Sequence, residues 1–169
     1  TFKILYEYLR QNPRVGLAGP KQYNPDRSIQ DSCYRWYGLF TPFYRRTPLG
    51  KYRFAQKDLD RFLMKDYNKS EARAVDWLLG SFLFARATAL SDVGLFDENF
   101  FLYFEDTDLC KRFWQKKWQV VYYPGAQIIH NHSRESARVP WYKFFTNPAS
   151  LFHVISWVKY LRKWGTNLI

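Results

Sequence analysis

Six of the fifteen acidic residues, Asp92, Asp97, Glu98, Glu105, Asp106 and Asp108, fall between Arg86 and Lys111, an interval with no lysine or arginine. They stand among aromatics, in the run Phe100-Phe101-Leu102-Tyr103-Phe104-Glu105-Asp106-Thr107-Asp108. Carboxylates beside apolar walls have their protonation set by desolvation and by one another, as a general base or a metal ligand requires. A plainer reading competes: Glu105, Asp106 and Asp108 suit the cap and first turn of a helix, where free amides and the dipole favour negative charge. Composition does not choose between the two. Three further positions carry chemical promise. Asp76-Trp77 offers a carboxylate beside a flat ring, Gly80 marks a close backbone approach within a strand-like run, and His130 follows an extended segment.

Around these residues the periodicity sketches the elements. Phe2, Leu5, Tyr8 and Leu9 have helical spacing, ended by Asn12-Pro13. The pattern has no start signal, so the helix looks entered midway. Val15–Ala18 reads as a buried strand closed by Gly19-Pro20, and Asn24-Pro25-Asp26-Arg27 as a turn before a strand from Ile29 to Cys33. Residues 34–54 are dense in aromatics and arginines without a clean period, which predicts a long ordered loop or lid. Arg35, Arg45 and Arg46 there could clamp a phosphate or simply lie on the surface. A weak helix follows over Lys57–Met64, then a strand-like run over Val75–Phe84. Thr88 is expected to cap a short helix that Gly94 closes. From Glu105 or Asp106 a helix should run to about Lys117, burying Leu109, Cys110, Phe113 and Trp114. Val120–Tyr123 reads as a strand, Pro124-Gly125 as a turn, and Ala126–Ile129 as an extended piece delivering His130.

After Ser136 the character changes. Asn147-Pro148 opens a helix in which Leu151, Ile155, Val158 and Leu161 form a stripe beside Phe152, Trp157, Tyr160 and Trp164, with Lys159, Arg162 and Lys163 supplying charge. Such a basic aromatic helix suits an anionic membrane surface, here residues 141–169, or docks on its own domain. The uncharged run Phe144–Val158 is shorter than the ~20 apolar residues of a membrane span. Two separated cysteines, Cys33 and Cys110, without a basic-apolar leader read as free thiols, which points to a cytoplasmic address with the inner membrane face as a docking place. The net charge of +11 speaks of partners: nucleic acid, anionic lipid or phosphorylated substrates. Nucleic acid rests on charge alone, since no zinc-finger or RNP pattern accompanies it.

Three pieces occur in order: Asp76-Trp77-Leu78-Leu79-Gly80, Phe96-Asp97-Glu98 through Glu105-Asp106-Thr107-Asp108-Leu109, and Pro124-Gly125-Ala126-Gln127-Ile128-Ile129-His130. Their succession resembles the acceptor-side half of bacterial family-2 glycosyltransferases of the GT-A fold, especially the rhamnosyltransferase-like and galactofuranosyltransferase-like branches. The likeness runs from about Asn12 to Ser136, and Val15–Pro20 with Asp26 and Gln30 resembles the strand after the metal motif there. It implies an α/β fold, a partial GT-A domain over 1–136 without its nucleotide-binding half, and a helical tail over 137–169. It implies inverting transfer of a sugar from a nucleotide diphosphate sugar to a saccharide or lipid-linked acceptor. Asp106 would be the base, Glu105 with Asp76 and Trp77 would contact the acceptor, and Gly80 would lie near the donor. His130, with His132 as a weaker substitute, would join absent Asp-x-Asp carboxylates on Mg²⁺ or Mn²⁺, and Asp108 would be structural.

The sequence departs from the family pattern at Lys117, where a glycine usually precedes the aromatic. It also holds no Asp-x-Asp before Val15, so the chain alone is expected to transfer no sugar, and an unpaired sheet edge is expected to favour self-association. The competing function class is a non-catalytic basic module that binds membrane or nucleic acid.

Overall fold

The computed structural model describes residues 1–131 and 147–165. In chain order the elements are α1 (Phe2–Gln11), β1 (Val15–Tyr23), β2 (Ile29–Gln30), β3 (Cys33–Tyr34), α2 (Thr41–Tyr44), a 3₁₀ turn (Pro48–Lys51) and α3 (Arg53–Phe62). Then come β4 (Arg73–Ala74), β5 (Trp77–Leu78), β6 (Phe84–Ala85), α4 (Ala87–Val93), α5 (Glu105–Gln115), β7 (Gln119–Ile129) and α6 (Pro148–Trp164). The expected boundary at residue 136, His132 and the first residues of the tail lie outside the described residues.

β1 and β7 form the parallel centre of a sheet ordered β2-β1-β7-β4, with β6 also pairing to β1, while β3 and β5 make a separate antiparallel pair. Alternate side chains of β7 face opposite layers, as a strand dictates. Val120 and Tyr122 join the main core with Leu109 and Phe113 of α5, whereas Val121 packs with Leu5 and Leu9 of α1. On β1 a register shift at Gly16 resets this alternation. A side chain at Gly16 would strike Phe113 and Trp118 at 2.8 Å.

The predicted strand end at Gly19-Pro20 and the predicted turn at Pro124-Gly125 both prove wrong, for one reason. The two strands run straight through, and Pro20 pairs with Tyr123 while Lys21 pairs with Gln127. Pro124, Gly125 and Ala126 form a bulge in β7 with Ala126 buried, and Pro20 sits where the ladder breaks, a place where a missing N–H costs little. The Val75–Phe84 run is likewise not one strand, because a turn at Gly80-Ser81 separates β5 from β6.

Inside the predicted lid, α2, the 3₁₀ turn and the start of α3 pack on one another, so the helix begins at Arg53 rather than Lys57. α4 starts after Arg86, not at a Thr88 cap. Arg86 is held by Val15 O through Nε at 3.0 Å and by its own N–H to Gly16 O at 2.8 Å. Gly94 does close that helix, at φ +86°. Cys33 and Cys110 are buried and unbridged.

α6 docks on the main core through Trp157 and Tyr160. Two of its three basic residues reach neighbouring groups while Arg162 is exposed: Lys163 meets Asp97 and Asp108, each at 2.7 Å, and Lys159 donates to Asn99 O at 2.8 Å. Among the described residues no helix is long and apolar enough to cross a membrane.

Candidate active site

A short connection, Lys116–Trp118, reverses the chain between α5 and β7, so the start of α5 and the end of β7 share one end of the sheet. This is the carboxyl end of the parallel strands, where open α/β sheets bind their ligands. The acid-rich run reaches it through two consecutive left-handed residues, Tyr103 at φ +67° and Phe104 at φ +66°. Neither is glycine, so the backbone carries strain of roughly 1–3 kcal/mol at each. Packing holds it there: the Phe104 ring is buried against His153, Trp157 and Tyr160 of α6, and Ser156 Oγ donates to Leu102 O at 2.7 Å.

Asp106 follows this bend. Its Oδ2 accepts from Gly80 N–H at 2.9 Å, and its Oδ1 from Thr107 N–H at 2.7 Å and Thr107 Oγ at 3.3 Å. It is 8% exposed, and among the described residues no cation pairs with it or with Glu105. Burial pushes the Asp106 carboxyl up from its ordinary value against those hydrogen bonds. Glu105 is partly buried, and its Oε2 has no hydrogen-bond partner among the described residues. Burial, with the Asp106 charge beside it, raises the Glu105 carboxyl to about 7.

Gly80 lies against Asp106 and is itself exposed to solvent. A Cβ there would lie 3.3 Å from Asp106 Cβ and Oδ2, so only glycine lets the amide approach at that distance without displacing the carboxylate. Asp76 and Trp77 are both engaged within the fold. Asp76 gives one oxygen to Arg35 Nη1 at 3.2 Å and the other to Trp36 N–H at 2.6 Å, fastening the lid. Trp77 is buried, donates Nε1–H to Arg35 O at 3.0 Å, and stacks between Tyr34 and Tyr37 at centroid distances of 4.3 and 5.5 Å. That ring is packed in the core. Tyr37, which the sequence did not single out, is buried against Trp77 and Phe104 and lies close enough to feel the Asp106 charge.

His130 stands at the same end of the sheet without touching Asp106. Its N–H donates to Tyr23 O at 2.9 Å and its Nδ1 lies 3.1 Å from Gln30 Oε1. A polar strip, buried at Gln30 and Gln22 and exposed at Ser81, leads from it toward the carboxylates: Gln30 is the register partner of Gln22, and Gln22 Oε1 accepts from Ser81 Oγ at 2.8 Å, next to Gly80. Gln22 and Ser81 gave no signal in the sequence, because a glutamine in a strand is legible only through its cross-strand partner. For a divalent cation these residues offer one imidazole nitrogen, and no group of three or more His, Cys, Asp or Glu converges among the described residues. They do not by themselves compose a metal site, so no step below passes through one.

Asp108, two residues on, is fully buried and completely paired. It accepts from Arg112 Nε at 2.9 Å, Trp164 Nε1 at 2.9 Å and Lys163 Nζ at 2.7 Å. Arg112 in turn caps Val93 O at 2.8 Å and Leu95 O at 2.7 Å. Its role is structural.

A mixed α/β layer with a carboxylate pair at the strands' carboxyl end is the geometry of a partial GT-A domain. A family model described as Glycosyl transferase family group 2 matches residues 2–166, and the chain belongs to that family. Over 136 residues it is 32% identical to the N-acetylglucosaminyl-diphospho-decaprenol L-rhamnosyltransferase of Mycobacterium tuberculosis, in strains CDC 1551 / Oshkosh and ATCC 25618 / H37Rv alike, covering 76% of this chain and 41% of the relative. Over 91 residues it is 33% identical to Rhamnosyltransferase WbbL of Escherichia coli K12, covering 53% of this chain and 31% of that protein. The chain therefore spans well under half the length of these curated relatives.

Proposed function

We propose that this chain forms the acceptor side of an inverting transferase that moves a deoxyhexose, of the rhamnose class named in its relatives, from a nucleotide diphosphate sugar to a saccharide or lipid-linked saccharide. The observation that carries the reading is the Glu105–Asp106 pair, Asp106 buried and Glu105 partly so, without a cationic partner among the described residues, and pushed up in pKa. A sugar hydroxyl is a weak nucleophile, and a carboxylate of raised pKa is a better acceptor for its proton.

In the proposed step the acceptor hydroxyl oxygen attacks the anomeric carbon from the side opposite the diphosphate. The bond from that carbon to the diphosphate oxygen breaks, the nucleoside diphosphate departs with the electron pair, and the hydroxyl proton passes to Asp106. A carboxylate has about four lone-pair positions, and Gly80 N–H, Thr107 N–H and Thr107 Oγ account for three. The remaining position would receive the proton, while the Gly80 and Thr107 amides fix the group's direction. Glu105 would contact the acceptor beside it. The 169-residue chain alone is proposed to transfer no sugar, the donor-binding residues being supplied by the rest of a longer protein.

A second assignment of the base has its own support: the Glu105 Oε2 has no partner among the described residues and burial raises its carboxyl to about 7, well suited to proton transfer near neutrality. The test uses the full-length enzyme carrying this chain. Asp106→Asn is expected to cut turnover by about 10²–10⁴-fold, the usual worth of a general base, with donor affinity unchanged, and Glu105→Gln to stay within about 10-fold. A Glu105→Gln loss as deep as that expected for Asp106→Asn would transfer the role to Glu105. Normal turnover in both variants would overturn the reading.

A further inference from the structure

The lid has two faces. Its inner face is anchored by buried Thr41, Pro42, Gly50, Ala55 and Phe62, and Thr41 Oγ is bonded to Asp58. A Cβ at Gly50 would collide with Tyr44 O at 2.2 Å, so the 3₁₀ turn is pressed directly onto α2. The outer face is apolar and uncovered: Phe43 is 50% exposed, Tyr52 59% and Phe54 61%, with Leu39, Phe40 and Leu49 exposed beside them. Phe40, Tyr44, Phe54 and Tyr52 form a continuous series of ring contacts at 5.7–6.2 Å.

The charge of this segment is one-sided. Between Asp31 and Asp58 there is no acid, while Arg35, Arg45, Arg46, Lys51, Arg53 and Lys57 lie in the same interval. Lys51, Arg53 and Lys57 are exposed among the outer aromatics. Exposed rings interleaved with cations are the composition of an interfacial membrane anchor, with rings seated at the headgroup level and cations on anionic lipid. α6, the sequence's candidate for this task, is differently disposed, because its Lys159 and Lys163 hold the 97–108 loop.

We propose that the outer face of residues 39–57 docks this protein onto an anionic lipid bilayer. The lid stands beside the start of α5: Tyr37 at its root packs on Phe104, the residue before Glu105, at a centroid distance of 4.9 Å. Docking there would hold the site against the bilayer surface. The inference does not rest on the transfer reaction, since vesicle binding needs no turnover.

The test is flotation of the 169-residue chain with vesicles of phosphatidylcholine alone or mixed with phosphatidylglycerol. Binding is expected to the mixed vesicles only, and to weaken as salt rises. Lys51→Glu and Arg53→Glu should each reduce partitioning by about 5-fold or more, following roughly 1 kcal/mol per cation at such a surface. Phe43→Ser with Phe54→Ser should reduce it further at every salt concentration, with the far-ultraviolet circular dichroism unchanged. Phe152→Ser with Ile155→Ser on α6 should leave it within about 2-fold. Equal flotation of the lid variants, or loss confined to the α6 variants, would overturn the proposal. So would a light-scattering mass showing a dimer that the lid variants convert to monomer while neither form floats, which would make the face a contact between copies.

Discussion

Asp106 and Asp108 sit two residues apart on one helix, both nearly or wholly removed from water, and their surroundings have opposite character. Asp108 is met by Arg112, Lys163 and Trp164, and through them it ties α4, α5 and α6 together. Among the described residues Asp106 is met only by two backbone amides and a hydroxyl, with a second carboxylate, Glu105, beside it. A buried charge neutralised by cations is a fastening. One left to neutral donors retains its appetite for a proton, and that difference divides framework from chemistry on α5.

The largest expected effect would break the comparison from the framework side. Asp108→Ala removes the buried acceptor shared by Arg112, Lys163 and Trp164 and should cost about 3–5 kcal/mol, as removal of one partner from a buried ion pair does. Urea titration would measure it, and a loss under ~1 kcal/mol would show the cluster to be dispensable. Gly80→Ala acts from the other side. Its Cβ would press on Asp106 at 3.3 Å, so turnover of the full-length enzyme should fall about 10-fold or more through misplacement of the carboxylate. Stability should change by about 1 kcal/mol or less, so an unaltered rate would detach Asp106 from the reaction.

The pH dependence sharpens the contrast further. Glu105 is raised from 4.5 to about 7, so between those values the folded state keeps a proton that the unfolded state has released. Its contribution to stability is thus greatest at or below pH 4.5, declines as pH rises, and levels off above about 7. The melting temperature of Glu105→Gln relative to the unsubstituted chain should rise across that window, and a constant difference would contradict the shift. The smallest effect concerns the far end of the same helix. Lys117, at φ +62°, closes α5 where Trp118 N–H meets Phe113 O and Lys117 N–H meets Trp114 O, each at 2.9 Å. A glycine is unstrained there, so Lys117→Gly should stabilise the fold by about 0.5–1 kcal/mol despite its entropy cost in the unfolded chain.

The parts of this arrangement written in local sequence were readable in advance. Acids at a helix start announced α5, Gly94 announced the end of α4, and the spacing of Leu5 and Leu9 announced α1. What depended on distant partners was not. Pro124-Gly125 is a strong turn signal, yet pairing to β1 on both sides carries the strand through it as a bulge. Trp77 beside an aspartate reads equally as a sugar platform or a core ring, and Tyr34 and Tyr37, some forty residues earlier in the chain, decide for the core. The left-handed pair Tyr103-Phe104 left no trace at all, because aromatic residues do not advertise positive φ. Resemblance supplied the family, and the structure added the internal partners of Asp76, Trp77 and Gly80.

The division between the two carboxylates is tested most directly by resolved carboxyl titration, using carbon-13 nuclear magnetic resonance on the chain, with Glu105→Gln and Asp106→Asn to assign the signals. The account predicts a Glu105 midpoint near 7 and an Asp106 midpoint above the ordinary aspartate value of 3.8. Ordinary midpoints for both would mean that water or a cation reaches the pair, and the chemistry assigned to the start of α5 would have no basis.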